Sequence, residues 1–111
     1  MRVFNMTPHT VVIDQGMGFK KGFLPSGEVA RVSTRAVSDG EVKSIPVVRT
    51  TFGEVKGLPE EKEGTIYIVS SMVAQACRDT RHDLVSPDTS PESAVRDSDG
   101  RIVAVRRFQR W

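Results

Sequence analysis

The reading of the fold turns on one stretch, Ile66 to Ser93: IYIVSSMVAQACRDTRHDLVSPDTSPES. It opens as a β-branched apolar strand, Ile66-Tyr67-Ile68-Val69, and β-branched and aromatic residues fit a pleated, buried surface. Ser70 and Ser71 follow, both good helix N-caps, ahead of the short apolar run Met72-Val73-Ala74-Gln75-Ala76-Cys77. The spacing predicts one or two helical turns there. The chain then releases Arg78, Asp79, Arg81, His82 and Asp83 before a loop bounded by Pro87 and Pro91. Hydroxyls, free helix-end N–H groups and arginines near the end of a buried strand make a common arrangement for holding an anion. The same residues also have a purely structural use, with the serines capping the helix and the arginines pairing with Asp79 and Asp83.

On either side of this stretch, short apolar runs recur between glycine, proline and charged turns. Val11-Val12-Ile13, Val29–Val32, Ile45–Val48 and Ile102–Val105 have strand composition, and Leu84-Val85 is a weaker case. Asp39-Gly40 and Gly57-Leu58-Pro59 read as turns between them. Pro25-Ser26-Gly27 predicts a hairpin joining Phe19–Phe23 to Glu28–Val32. Asp99-Gly100 predicts a second, folding Ala94–Asp97 onto Arg101–Val105. Ser90-Pro91-Glu92-Ser93 carries helix-start signals that predict one turn or two, and Pro46 favours an edge position. The expected fold is a mainly β single domain, residues 1–111, with one or two short helices, forming a small antiparallel sandwich or partly open barrel.

Composition narrows the function classes. With 38% apolar and 27% charged residues the chain belongs to the globular class, not the disordered one. A formal charge of +2 does not argue for nucleic acid, although Arg96, Arg101, Arg106, Arg107 and Arg110 gather near one end. The lone Cys77 excludes an internal disulfide and fits a reducing cytoplasm. No apolar run approaches the ~20 residues needed to cross a bilayer as a helix.

Catalytic and metal signatures are weak. One cysteine and two histidines, His9 and His82, lack paired zinc-type spacing, so neither metal nor cofactor is expected. Cys77 lies in an apolar run, which favours an inert thiol. The residues expected to bind a ligand are therefore Ser70, Ser71, Arg78 and Arg81 for an anion, with His9, Asp88 and Thr89 for a ribose or base. Arg31 and Arg49 join them if their side chains turn inward.

Several motifs also look familiar together: Asn5-Met6-Thr7-Pro8-His9, Pro25–Val32, Phe52–Pro59, Gly64–Ser70, Pro87-Asp88-Thr89 and Arg96–Val103. Jointly they resemble a family of small uncharacterised proteins encoded by bacteriophages and prophages. The resemblance implies a phage accessory protein in the cytoplasm of a bacterial host, and carries no activity with it. Phage proteins of this size include anti-defence sponges that sequester nucleotide signals of host immunity; these are oligomeric and do no chemistry. The expectation is thus a self-associating, non-enzymatic binder of a phosphorylated, nucleotide-like molecule. A phage structural or protein-inhibiting module and a small nucleotide hydrolase are the alternatives.

Overall fold

A computed structural model describes all of residues 1–111, as ten strands and one helix. The order is β1 (Arg2–Asn5), β2 (Val11–Gly16), β3 (Phe19–Phe23), β4 (Arg31–Val42), β5 (Ile45–Lys56), β6 (Thr65–Ile68), α1 (Ser71–Ala76), β7 (Leu84–Pro87), β8 (Ala94–Arg96), β9 (Ile102–Val105) and β10 (Phe108–Gln109). The fold is mainly β with one short helix, as the composition implies. No sheet closes into a barrel, and three of the seven strand pairings, β1–β6, β6–β7 and β2–β9, are parallel.

The parallel pairs follow from the stretch that opens with Ile66. Two parallel neighbours need a crossover, and residues 69–83 supply one through α1. Ser70 caps that helix, accepting the Val73 N–H at 3.3 Å. The central sheet runs β1-β6-β7-β10 and is covered on both faces. Tyr67, Val69 and Leu84 pack with Val73, Ala74 and Cys77 from the helix side. Ile68 and Val85 pack on the other side against Val11 and Ile13 of β2 and Val105 of β9, in the second sheet, β3-β2-β9-β8. Strands buried on both faces read as continuous apolar runs. Ile68 and Val69 are fully enclosed, and each such side chain contributes about 1.5–3 kcal/mol relative to exposure.

Local turn chemistry corrects two expectations. The Pro25-Ser26-Gly27 hairpin does not form, because β3 is already paired with β2 through the turn at Gly16–Gly18. Residues 24–30 instead run along the end of β1: the Ser26 N–H donates to Asn5 O and the Ala30 N–H to Met6 O, delivering Ala30 into the core. Asp39-Gly40 is not a turn but part of a β-bulge within β4, between Ser38 and Glu41. Ser90–Ser93 does make one turn, as its start signals imply, with the Ser93 and Ala94 N–H groups both donating to Ser90 O. The Asp99-Gly100 hairpin does form, pairing Ala94 with Val105 and Arg96 with Ile102.

β4 and β5 form a sheet of their own, a long antiparallel ribbon. Only its base joins the body, through Val32 and Val55 against the helix-side core. Gly57 closes that base at φ +81, where a Cβ would collide with Val29 O. Any other residue there meets both a strained backbone and a collision with main chain.

Candidate functional site

Asn5-Met6-Thr7-Pro8-His9 resolves into a structural knot. The Asn5 amide is buried and uses all its capacity: Nδ2 donates to His9 O and Phe23 O, each at 2.8 Å, and Oδ1 accepts the Thr7 N–H at 2.9 Å and the Thr7 hydroxyl at 2.6 Å. This side chain ties the loop after β1 to the end of β3. His9 itself is exposed.

Asp88 is likewise a building element. Its buried carboxylate accepts Arg107 Nε at 2.6 Å and the Ser90 N–H at 2.9 Å. Those bonds hold its pKa down at about 2, the Arg107 guanidinium being the chief cause. Beside it the enclosed Ser93 hydroxyl accepts the Arg106 and Arg107 N–H groups. The chain before β10 is therefore locked to the turn after β7.

The remaining sequence-predicted residues are distributed over several surfaces and do not meet in one hollow. Ser70 and Arg31 line a narrow cleft of about 220 Å³ on one flank of α1, with Met6 and Thr7. Ser71 is exposed at the start of the helix. Thr89 borders a shallow apolar groove of about 130 Å³ between β2 and β9. Arg49 is exposed halfway along the ribbon. The Ser70 hydroxyl is spent on its cap, and six helical residues give little dipole to recruit an anion.

Arg78 and Arg81 lie on the other flank of α1, where a cleft of about 360 Å³ opens against the last residues of the chain. Its walls are Ala74, Arg78, Arg81, His82, Leu84, Arg110 and Trp111. β10 brings the last two into place: it runs antiparallel to β7, setting Gln109 opposite Ser86, so the chain beyond Gln109 reaches back towards Leu84. The indole N–H donates to the Ser86 hydroxyl at 3.4 Å, which fixes the ring while half of Trp111 stays open.

The three guanidinium groups differ in availability. Arg81 is committed, donating to both carboxylate oxygens of buried Asp83 at 2.9 and 2.8 Å, with Glu61 a further 3.9 Å contact. The Asp83 hydrogen bond is the main reason its pKa rises above the ordinary arginine value. Arg78 meets Asp79 at 3.8 Å with both side chains largely in water, a pairing worth at most about 1 kcal/mol. Arg110 makes no ion pair. The cleft therefore presents one free cation, one weakly engaged cation, an imidazole and an aromatic face.

Cys77 sits behind this cleft in the core, where burial pushes its thiol pKa up, partly offset by Arg81. It is held in the unreactive protonated form. No three His, Cys, Asp or Glu side chains are grouped to hold a metal ion, and no helix is long and apolar enough to cross a membrane. Arginines interleaved with Phe108 and Trp111 suit base stacking or closure of the core or an interface, but Arg110 and Trp111 lie over 30 positions from Arg78, so sequence reasoning did not place them beside it. The available signal was their alternation of arginine with aromatics near the chain's end. Comparison with protein-family models, with curated proteins and with solved structures finds no match for this chain.

Proposed function

We propose that this protein binds a phosphorylated, nucleotide-like small molecule in the cleft between α1 and the Arg110-Trp111 segment, without transforming it. The observation that carries the reading is that Arg110, which makes no ion pair, lines the same cleft as half-exposed Trp111, whose indole N–H is bonded to Ser86. A guanidinium meets a phosphate with two parallel charge-assisted hydrogen bonds, and an indole face stacks a base. Arg78 exchanges its weak contact with Asp79 for the same anion, and His82 supplies a further donor at the rim. A volume of about 360 Å³ lies within the range of small-ligand sites. The chain's one thiol, Cys77, is buried with its pKa raised, so it does not serve the cleft as a nucleophile. With the resemblance to small phage proteins, the biological form of this reading is sequestration of a nucleotide signal of host immunity.

The test is a capture assay. Incubate the protein with cyclic and ADP-ribose-type nucleotides, remove the free pool, denature by heat and analyse what is released. Intact nucleotide from wild type is expected. Arg110→Ala and Trp111→Ala should each weaken retention by about 10- to 100-fold, the loss of a charged hydrogen bond or of one stacked ring. Converted nucleotide would favour the hydrolase alternative, and an empty protein across the whole panel would sink the reading.

A further inference from the structure

The β4–β5 ribbon has a surface problem that the rest of the molecule does not share. Its strands hold 12 residues each, about 40 Å at the usual rise, and none of those residues is buried. It is hydrogen-bonded only to itself, so both outer edges offer unpaired main-chain groups. Val42, Ile45 and Val48 are 61%, 65% and 60% exposed, and Phe52 also faces solvent. The pairing register sets Val42 and Ile45 on one face and Val48 and Phe52 on the other. A two-stranded hairpin with exposed apolar residues on both faces is at best marginally stable alone in water.

The whole-molecule dimensions locate the same deficit. The accessible surface is 8058 Å², about 2,000 Å² more than a compact monomer of 12.3 kDa exposes. The radius of gyration is 16.3 Å, against about 13 Å for a compact domain of this length. There are 48 backbone–backbone hydrogen bonds, where about 70–80 are usual for 111 residues.

We propose that the ribbon is an assembly arm covered by a second copy of this chain in a closed homodimer. The area decides the occupant. About 2,000 Å² of excess surface per chain is about 4,000 Å² for a pair, the range of obligate homodimers and well above transient contacts. A ribbon that cannot stand alone must be covered from folding onward, and the partner present in equal amount from synthesis is the same chain. The bulges at Val32/Thr34 and Ser38/Glu41 bend the edges, and Arg35 and Arg49 charge them. Such features oppose endless edge-to-edge addition and favour closure around a two-fold axis.

Light scattering after size exclusion, from about 1 to 100 µM, tests the arm independently of the cleft. The expected mass is twice 12.3 kDa throughout, with slow hydrogen exchange along β4 and β5. Val48→Asp, at an exposed arm position, should give a single-chain mass and fast arm exchange, while the β6 and β7 amides stay protected. Protection of those body amides shows that the variant has folded, so dissociation is read apart from unfolding. Wild type at one-chain mass over the whole range overturns the proposal, as does a mass that grows without limit. A dimer whose arm exchanges freely, or one that Val48→Asp leaves intact, overturns it too.

Discussion

Two four-residue runs of nearly the same composition meet opposite ends in this molecule. Ile66-Tyr67-Ile68-Val69 lies at the centre, with Ile68 and Val69 wholly enclosed, whereas Ile45-Pro46-Val47-Val48 lies on the arm with Ile45 and Val48 mostly in water. β-branched content made strands of both. What differs is layering: the first run has α1 on one face and the β2–β9 pair on the other, and the second has neither. Strand formation is a local property, while burial depends on what the topology stacks above and below.

Asp83 gives the sharpest way to break that contrast. Its carboxylate is buried and neutralises Arg81, itself largely enclosed. Asp83→Ala leaves that guanidinium only its 3.9 Å contact with half-exposed Glu61, and the expected loss is about 3 kcal/mol in chemical denaturation. Thr50→Ala on the arm, which contributes no buried residue to its own chain's cores, should shift the unfolding of the body by no more than about 0.5 kcal/mol. If the two substitutions cost the same, the body does not hold the stability ascribed to it here.

The sequence discloses the centre of the molecule well because its signals are local. The strand at Ile66, the Ser70 cap, the short helix and the Asp99-Gly100 hairpin each follow from adjacent residues. The cleft was half legible: Arg78 and Arg81 were named, but nothing near them indicates that β10 returns beside β7 and brings Arg110 and Trp111. The arm was almost illegible. With no face buried, residues 33–36 show no alternation to mark a strand, and Asp39-Gly40 imitates a turn. Its true turn uses Lys43 and Ser44, at φ 49° and 65°, residues that give no warning of positive φ. The Asn5 motif was legible as important, yet its amide serves the fold.

A smaller effect separates the regions by pH. Asp88 has its carboxyl lowered from 3.8 to about 2, first by Arg107 and then by the Ser90 N–H. A depressed folded pKa means that this lock is fully engaged above about pH 4 and released as pH falls towards 2. Acid should therefore loosen β10 from β7 in that window. Trp111 fluorescence reports it, because the indole is bonded to Ser86 on β7. Asp88→Asn should remove the transition, and arm amides should show no change across it. A transition of equal size in the arm would mean that the two regions do not behave as separate units.

The smallest expected effect lies at the arm's tip. Two consecutive non-glycine residues in the left-handed region make a type I′ turn, the geometry that matches strand twist but favours Asn-Gly. Ser44→Gly keeps the turn and removes the Cβ strain at φ 65°, a gain of about 1 kcal/mol for the ribbon. Part of that gain is offset because glycine is freer in the unfolded chain. Since Ser44 touches no core residue, the body should be unaffected. Hydrogen exchange should slow at β4 and β5 near the turn and stay constant in β6 and β7. Were exchange to slow equally in β6, arm and body would be folding as one cooperative unit, and the exposed ribbon would be drawing its stability from the core.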